Sequence, residues 1–384
     1  MRVALVSESF LPQVNGVSGT VARVADRLLR TGHEALVIAP GPGRDYHGRV
    51  PVVRTRSVRL PAYRSFRLGL PDRRVDAALE EFGPDVVHLA SPFLLGAWGL
   101  RAAQRSGVPT LAVYQTDVAG FARRYAVPGA GLVQGRVQGR VDAWVAAVHT
   151  RADRTLVPST ASLHQLQALG VPRLHPWGRG VDLDQFGPHR RDHELHDRWA
   201  GPAADPRVVV GYVGRLAQEK SVRRLVEVAR IPGTRLVVVG DGPERGWLRE
   251  HLPDAVFTGL LHGEELARAF ASLDVFVHTG EAETFCQTVQ EAQASGVPVV
   301  APAVGGPLDL VDPGRTGLLH DPGDPRSLRR TVAALVGDPD LRAALSRAGA
   351  EAVGSRGWDA LVDELVDRHY AELLRPALTA KRAA

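Results

Sequence analysis

Residues 278–291 read His-Thr-Gly-Glu-Ala-Glu-Thr-Phe-Cys-Gln-Thr-Val-Gln-Glu, and this stretch decides the fold because it leaves a strand and enters a helix. The apolar run over residues 275–278 predicts the strand, and the helix-length segment that follows predicts the helix. Glu283 lies in the loop, and Glu291 lies about two turns inside the helix. Two carboxylates in these places can reach the two ends of an extended ligand.

The start of this predicted helix offers backbone donors beside the carboxylates. The N–H groups of Phe285, Cys286 and Gln287 would point out of the helix start, where phosphate or sugar oxygens are favoured. For Glu291 taken alone, a solvated acidic helix face is the alternative interpretation.

A second polar segment, residues 211–220, also follows a buried strand and precedes a helix. Arg215 and Lys220 would then lie beside a strand end. A guanidinium and an ammonium in that place can clamp a diphosphate and neutralise charge on a leaving group. Ordinary surface salt bridges are the alternative interpretation.

Short apolar runs alternate with helix-length amphipathic segments along most of the chain. The predicted strands cover residues 3–6, 35–39, 86–89, 110–114, 155–157, 208–213, 236–239, 275–278 and 297–301. This alternation predicts an α/β fold with parallel sheets covered on both faces.

A Pro/Gly/Asp-rich stretch over residues 175–188 interrupts the alternation, and 384 residues suit two domains. We predict two Rossmann-like doubly wound domains, residues 1–180 and 181–357, with a C-terminal helix at about 358–380 that crosses back to the first domain. Ligands of such sheets bind at the carboxyl ends of the strands, so we expect the site between the domains.

Composition narrows the function classes. The single cysteine, Cys286, excludes an intramolecular disulfide and a cysteine-based zinc site. No stretch approaches the roughly 18–20 apolar residues of a membrane helix, and the first residues alternate as a strand, so we expect a cytosolic protein. The loop around Gly16 lacks the Gly-x-Gly-x-x-Gly pattern, which counts against an NAD-dependent oxidoreductase.

Basic residues concentrate in the first part of the chain. Residues 1–180 contain 23 Arg against 12 Asp plus Glu, a net +11, whereas the remainder contains 24 Lys plus Arg against 30 acids, a net −6. Nine arginines lie from Arg44 to Arg74 among apolar residues, a combination that would contact anionic lipid headgroups. A general preference for arginine over lysine is the alternative. We expect no nucleic-acid binding because no recognition helix or aromatic stacking motif accompanies the charge.

Motifs in a consistent order along almost the entire chain resemble the retaining glycosyltransferases of the GT-B fold that share the E-x7-E motif, of the family 4 type. Besides Glu283 and Glu291, the matching motifs are Asn15-Gly16 and residues 84–88, 158–159, 179–186, 239–243, 294–298 and 305–306. Within that family, residues 10–17, 115–121 and 283–287 are similar to actinobacterial GDP-mannose-dependent α-mannosyltransferases.

The resemblance implies a role for each matching residue. Glu283 would contact the donor sugar hydroxyls, Glu291 the ribose, and Arg215 with Lys220 the diphosphate. The other implied donor-binding positions are Gly16 beside the diphosphate, and Gly240, Gly242 and the backbone of Leu260 and Leu261 near the nucleobase.

Two positions depart from the pattern of this family. Gln115-Thr116-Asp117 stands where many members have a histidine, so no histidine role is transferred, and Asp117 is the catalytic candidate that would orient an acceptor or donor hydroxyl. Thr284-Phe285-Cys286 replaces Gly-Phe-Gly, which predicts a narrower sugar pocket.

We expect no metal cofactor. Asp182-Leu183-Asp184 resembles the metal-binding Asp-x-Asp of a different glycosyltransferase fold, but it falls in the interdomain connection, where a capping or linker role is favoured. Arg215, Lys220 and helix N-termini would stabilise the leaving diphosphate instead.

These observations predict a retaining hexosyltransferase that transfers mannose from GDP-mannose to a glycolipid or other hydroxyl acceptor held by the first domain. It would work in the cytoplasm, peripherally at the inner face of the membrane. The alternatives are a UDP-sugar-dependent enzyme acting on a secondary metabolite or another lipid, and a non-catalytic nucleotide-binding regulatory protein.

Overall fold

A computed structural model describes residues 1–13, 15–60, 63–91, 93–115 and 131–375. The chain packs as two compact units, one formed by Met1–Arg179 with the segment from Trp358 onward, and the other by Gly180–Gly357. Each unit is built on its own sheet. Within the described ranges, no helix combines the length and the apolar character that a membrane span requires.

In the described residues before position 180, the first unit has ten strands and five helices. The strands are β1 (Arg2–Val6), β2 (Glu34–Pro40), β3 (Tyr46–His47), β4 (Val50–Thr55), β5 (Ser57–Leu60), β6 (Tyr63–Gly69), β7 (Val86–Leu89), β8 (Thr110–Val113), β9 (Arg154–Val157) and β10 (Leu174–Pro176). The helices are α1 (Gly16–Arg30), α2 (Arg73–Phe82), α3 (Leu94–Arg105), α4 (Gly131–Arg151) and α5 (Thr160–Ala168). Eight strands pair in the order β10-β9-β8-β7-β1-β2-β4-β3, and β5 and β6 form a separate antiparallel hairpin.

Helices cover both faces of this sheet, as the sequence predicted. Successive side chains of a strand point to opposite faces. In β1, Val3 and Leu5 therefore enter one hydrophobic cluster, whereas Ala4 and Val6 enter another. Apart from β3, which runs antiparallel to β4, the strands of the sheet are parallel.

The second unit repeats this architecture on a six-stranded sheet. Its strands are β11 (Val208–Val213), β12 (Thr234–Val239), β13 (Val256–Gly259), β14 (Val275–Val277), β15 (Val299–Pro302) and β16 (Leu318–His320), all parallel in the order β13-β12-β11-β14-β15-β16. Its helices are α6 (His193–Ala200), α7 (Leu225–Ala229), α8 (Arg245–His251), α9 (Gly263–Ala271), α10 (Gln287–Ala294), α11 (Ser327–Gly337) and α12 (Pro339–Val353). In β11, Val209 and Val213 pack into one cluster and Val210 and Tyr212 into another.

Several strands differ from the sequence prediction. The sequence pattern did not predict β13 and β16, which form the two edges of the second sheet. An edge strand has only one neighbour, so a short run of three or four residues suffices and leaves a weak sequence signal. Strands β4, β5 and β6 were also missed, because their arginines obscured the alternation of the segment.

The chain closes with α13 (Trp358–Glu364), which packs on the first unit as predicted. It continues through a π-helical turn, Leu365–Tyr370, and a last helical stretch over residues 371–375. Arg27 of α1 donates hydrogen bonds of 2.8 and 2.6 Å to the two oxygens of Asp363, and the hydroxyl of Tyr370 lies 2.6 Å from His88 Nδ1. These contacts fix the segment against α1 and β7.

Candidate functional site

The polar segments singled out in the sequence follow four neighbouring strands of the second sheet. Residues 214–220 follow β11, residues 240–242 follow β12, residues 278–286 follow β14, and residues 305–306 follow β15. Because these strands are parallel, all four segments leave the same edge of the sheet.

Glycines allow the first two segments to touch through their backbones. Gly240 has φ 135°, and a Cβ atom there would lie 2.0 Å from the carbonyl oxygen of Gly214. A Cβ atom at Gly242 would lie 2.3 Å from the oxygen of Leu216, whose own N–H donates to Asp241 at 2.9 Å. The two glycines assigned to the nucleobase are therefore required for this close approach.

The central side-chain contact joins Lys220 to Glu283. The Lys220 ammonium donates a very short hydrogen bond to Oε1 of Glu283, and His278 Nε2 lies 3.1 Å from the same oxygen. The backbone carbonyl of Lys220 accepts a 2.7 Å hydrogen bond from the Thr279 hydroxyl. Two residues that the sequence placed on different segments, 63 positions apart, are thus brought into one ion pair.

Electrostatics keep all three members of this cluster charged. Burial alone would raise the pKa of the Glu283 carboxyl, but the charge of Lys220 and the hydrogen bond with His278 hold it well below its usual range. Burial alone would lower the pKa of Lys220, but Glu283 raises it above the ordinary value. The pKa of His278 rises to about 9, because Cys286 and Glu283 outweigh the effect of burial. At neutral pH the cluster therefore holds one carboxylate and two cations.

Arg215 lies five residues before Lys220 in the same segment. Its Nη1 donates a 3.1 Å hydrogen bond to Oε1 of Glu219, and its backbone carbonyl accepts from the Tyr212 hydroxyl at 3.1 Å. The side chain remains 32% exposed. Both predicted cations thus have acidic partners, and both retain a surface on which an anion can bind.

Backbone strain marks the start of α10. Cys286, which precedes the helix, has φ 85°, a left-handed conformation that residues with side chains rarely adopt. This is the position where the family pattern has glycine, so the structure gives a backbone reason for that preference. A Cβ atom at Gly306 would lie 2.2 Å from the Phe285 carbonyl oxygen, and the Gly306 N–H donates to the backbone carbonyl of Glu283 at 2.8 Å. Gly306 thus holds the loop that carries Glu283.

The remaining predicted positions of the second unit have different surroundings. The Phe285 side chain is buried in the hydrophobic core, and the Gln287 amide donates to the Gly180 carbonyl at 2.8 Å. Leu260 is 64% exposed, whereas Leu261 packs against the core. Glu291 lies partly buried in α10, about one turn inside the helix and not the predicted two, because the helix begins only at Gln287. For Phe285, only the backbone is left for a ligand.

In the first unit, Gly16 begins α1 directly after its cap. The side chain of Asn15 accepts hydrogen bonds from the N–H groups of Val17 and Ser18, both at 3.0 Å. A Cβ atom at Gly16 would lie 2.4 Å from Nη1 of Arg179, so the glycine leaves the space that this guanidinium occupies. Arg179 also donates from Nη2 to the Gln115 side chain at 3.1 Å. Asp117 lies outside the described residues.

Two residues that contact predicted site residues within their own units were not predicted to act there. Arg179 was noted only as part of a motif, and His278 only as the end of a strand. The position of His278 five residues before Glu283 was a usable signal, since the end of a parallel strand and the loop after it share one edge. Arg179 gave no local signal, because its contact with Gly16 joins distant parts of the chain.

Acidic residues in two places of the second unit are candidate metal ligands. The Asp182 carboxylate accepts the N–H of Gln185 at 3.0 Å, a contact typical of a residue that caps a turn. Ligand atoms of His278, Glu283 and Cys286 lie within 4.8 Å of one another, a spacing that a metal ion can use. The Lys220 ammonium bonded to Glu283 opposes a cation at that point. Metal independence stays a prediction.

Known proteins match both units. Residues 195–352 match the family described as glycosyl transferases group 1, and residues 14–185 match glycosyltransferase family 4. A GDP-mannose-dependent alpha-mannosyltransferase of Mycobacterium tuberculosis is 51% identical over 97% of each chain. A protein of the same name from Mycolicibacterium smegmatis is 51% identical over 99% of this chain and all of its own.

A solved structure shows the same architecture. Sucrose-phosphate synthase from Thermosynechococcus elongatus superposes with a TM-score of 0.77 over 99% of each chain at 22% identity, a likeness that establishes the fold. The strand-end site, the two family matches and the identity to full-length relatives agree, and the chain belongs to the GT-B glycosyltransferases of family 4.

Proposed function

We propose that the protein transfers mannose from GDP-mannose to a hydroxyl group of a glycolipid, with retention of the anomeric configuration and without a metal ion. The observation that carries the proposal is the ion pair between Glu283 and Lys220 at the carboxyl edge of the second sheet. The names of the two mycobacterial relatives support GDP-mannose as the donor.

Different site residues contact different parts of the donor. The Glu283 carboxylate accepts hydrogen bonds from sugar hydroxyls, which its low pKa permits at neutral pH. Lys220 and Arg215 neutralise the diphosphate. The N–H groups at the start of α10 add positive potential to the same edge of the sheet.

The transfer itself follows from this arrangement. The bond between C1 of mannose and the diphosphate oxygen breaks while the acceptor oxygen bonds to C1 on the same face. The acceptor proton passes to the departing phosphate, and GDP leaves. Lys220 and Arg215 stabilise the charge that develops on the diphosphate in the transition state, where their contribution accelerates the reaction.

The donor and the stereochemistry are tested together. Purified protein is incubated with GDP-mannose, or in a parallel reaction with UDP-glucose, and a mixed glycolipid acceptor in the presence of EDTA, and the anomeric proton of the product is read by NMR. An α-mannoside supports the proposal. A β-mannoside contradicts retention, and transfer from UDP-glucose alone contradicts the donor. If the protein binds no nucleotide, the proposed transfer activity is contradicted.

Contact with a membrane would bring the enzyme to a lipid acceptor. Of the arginines between Arg44 and Arg74, Arg54 is engaged internally, since it donates to the carbonyls of Leu11, Pro40 and Arg44. The candidates for lipid phosphate are instead the exposed arginines Arg44, Arg49, Arg56 and Arg73. Tyr46 and Val58, both exposed, supply apolar surface in the same part of the chain.

Vesicle binding tests this part of the proposal. The triple variant Arg44→Glu, Arg49→Glu, Arg56→Glu should lose co-sedimentation with anionic vesicles, because each basic residue near the surface adds about 1 kcal/mol. The matched control carries Arg198→Glu, Arg230→Glu and Arg347→Glu, three exposed sites of the second unit. Equal binding of the two variants, or binding that ignores anionic lipid, counts against membrane contact.

A further inference from the structure

His278 occupies a fixed place beside Glu283. It follows β14 directly, is only 2% exposed, and stacks on the ring of Tyr212 with centroids 6.4 Å apart and planes inclined by 14°. Tyr212 belongs to β11, the parallel neighbour of β14. The imidazole is thus held by the strand behind it and by the ring beside it, and its Nε2 lies 3.1 Å from Oε1 of Glu283.

Both cations of the cluster contact the same carboxylate oxygen. Lys220 and His278 each bond to Oε1 of Glu283, and the hydrogen bonds made by this carboxylate within the described part of the chain all involve that oxygen. The Glu283 side chain is 13% exposed. Its Oε2 is therefore the oxygen that remains for a ligand.

Lys220 and His278 differ in how freely each side chain can move away from Oε1 of Glu283. Lys220 has a flexible stem, is 28% exposed, and has its ammonium available to a diphosphate. When a donor binds, phosphate competes with Glu283 for that ammonium. His278 has no such freedom, because packing against Tyr212 fixes its ring.

We propose that His278 is a positioning residue that holds Glu283 through Oε1, so that Oε2 stays directed at the donor sugar after Lys220 has turned to the diphosphate. The inference rests on the proposed function of the same site. Glu283 and His278 together select the sugar, and other residues bind the nucleotide.

The protonated His278 ring donates a charge-assisted hydrogen bond to Glu283, whereas the neutral ring donates at most a weaker, uncharged one from Nε2. Its pKa is raised to about 9, so the imidazolium persists at neutral pH and is lost as the pH passes that value. The ionisable groups that face it are Glu283, Lys220 and Cys286 from the site segments, Tyr212 from β11 and His320 from β16. Sugar transfer by the wild-type protein should therefore weaken above about pH 9.

Two substitutions separate positioning from packing. His278→Phe keeps a ring against Tyr212 and removes the hydrogen bond, whereas His278→Gln keeps an uncharged N–H donor. For His278→Phe we expect kcat/KM for GDP-mannose to fall about 10- to 100-fold, the range for a lost hydrogen bond to a charged group, while the affinity for GDP is unchanged. His278→Gln should recover part of the loss and remove the decline above about pH 9.

The decisive readout is a set of GDP-mannose analogues that each lack one sugar hydroxyl. In the wild-type protein, one analogue should lose activity because Oε2 of Glu283 loses its partner, and this penalty should shrink in His278→Phe. An unchanged penalty, or equal kcat/KM for His278→Phe and wild type, overturns the inference. Failure of the wild-type protein to bind GDP-mannose would instead remove the proposed function, so the two failures are distinguishable.

Discussion

Replacing Lys220 by methionine removes the ammonium and keeps an unbranched side chain. Glu283 then retains only His278, whose Nε2 lies 3.1 Å from Oε1. The diphosphate loses one of its two predicted cations. The substitution therefore tests the ion pair and the catalytic role together.

The expected magnitude follows from these contacts. Removal of one group that stabilises charge in a transition state lowers kcat by about 10²–10³. Breaking a fully buried ion pair costs about 3–5 kcal/mol. Here His278 still compensates the carboxylate and Lys220 is 28% exposed, so a smaller loss of about 1–3 kcal/mol in unfolding free energy is expected.

The assay measures GDP release in the presence of a glycolipid acceptor, together with unfolding in denaturant. Arg315→Met is the matched control, because it removes a 74% exposed cation that lies 3.3 Å from Asp312 in the same unit. This control should turn over at the wild-type rate and unfold within about 0.5 kcal/mol of it. Wild-type turnover by Lys220→Met would refute the assignment of the site.

Three further predictions concern a substitution at a backbone glycine, the effect of acidification and the removal of metal ions. Gly240→Ala should destabilise the protein by about 1–3 kcal/mol in denaturant unfolding, because the new Cβ meets the oxygen of Gly214, whereas Gly246→Ala has open space and serves as the control; equal stability would contradict the geometry. Glu283 has a pKa held below its ordinary value of 4.5, so its stabilising contribution is present above that pH and is lost as the pH falls below it. The difference in melting temperature between wild type and Glu283→Gln should thus shrink on acidification, and a constant difference would speak against the ion pair. Treatment with EDTA should leave the transfer rate unchanged, and recovery by Mg²⁺ or Mn²⁺ of a rate that EDTA had abolished would overturn metal independence.

The fold was predictable where the sequence pattern is strong. Central strands such as β7 and β11 are buried on both faces, so their apolar runs gave the correct bounds. The hairpin of β5 and β6 was interpreted only as a basic segment. Arginine can lie in a strand when its stem packs and its head finds partners, as Arg67 does with the Ser57 hydroxyl at 3.0 Å.

The candidate site was predictable in its residue types and not in its pairings. Glu283 and Lys220 both follow strands, so a shared edge could be inferred, but their direct contact depends on the order of strands in the sheet. That order brings β14 next to β11 and stacks His278 on Tyr212. The cysteine at position 286 does not itself mark a left-handed backbone, and only the glycine that the family pattern has there indicated this conformation.

The most direct test of the account is a calorimetric titration of GDP and GDP-mannose into wild-type and Glu283→Gln protein in EDTA. The account predicts that both proteins bind GDP equally and that the variant loses about tenfold or more in affinity for GDP-mannose, since its carboxamide replaces the charged acceptor of the sugar hydroxyls. Equal affinity of the two proteins for GDP-mannose, or no binding of either nucleotide to the wild-type protein, would contradict the central claim.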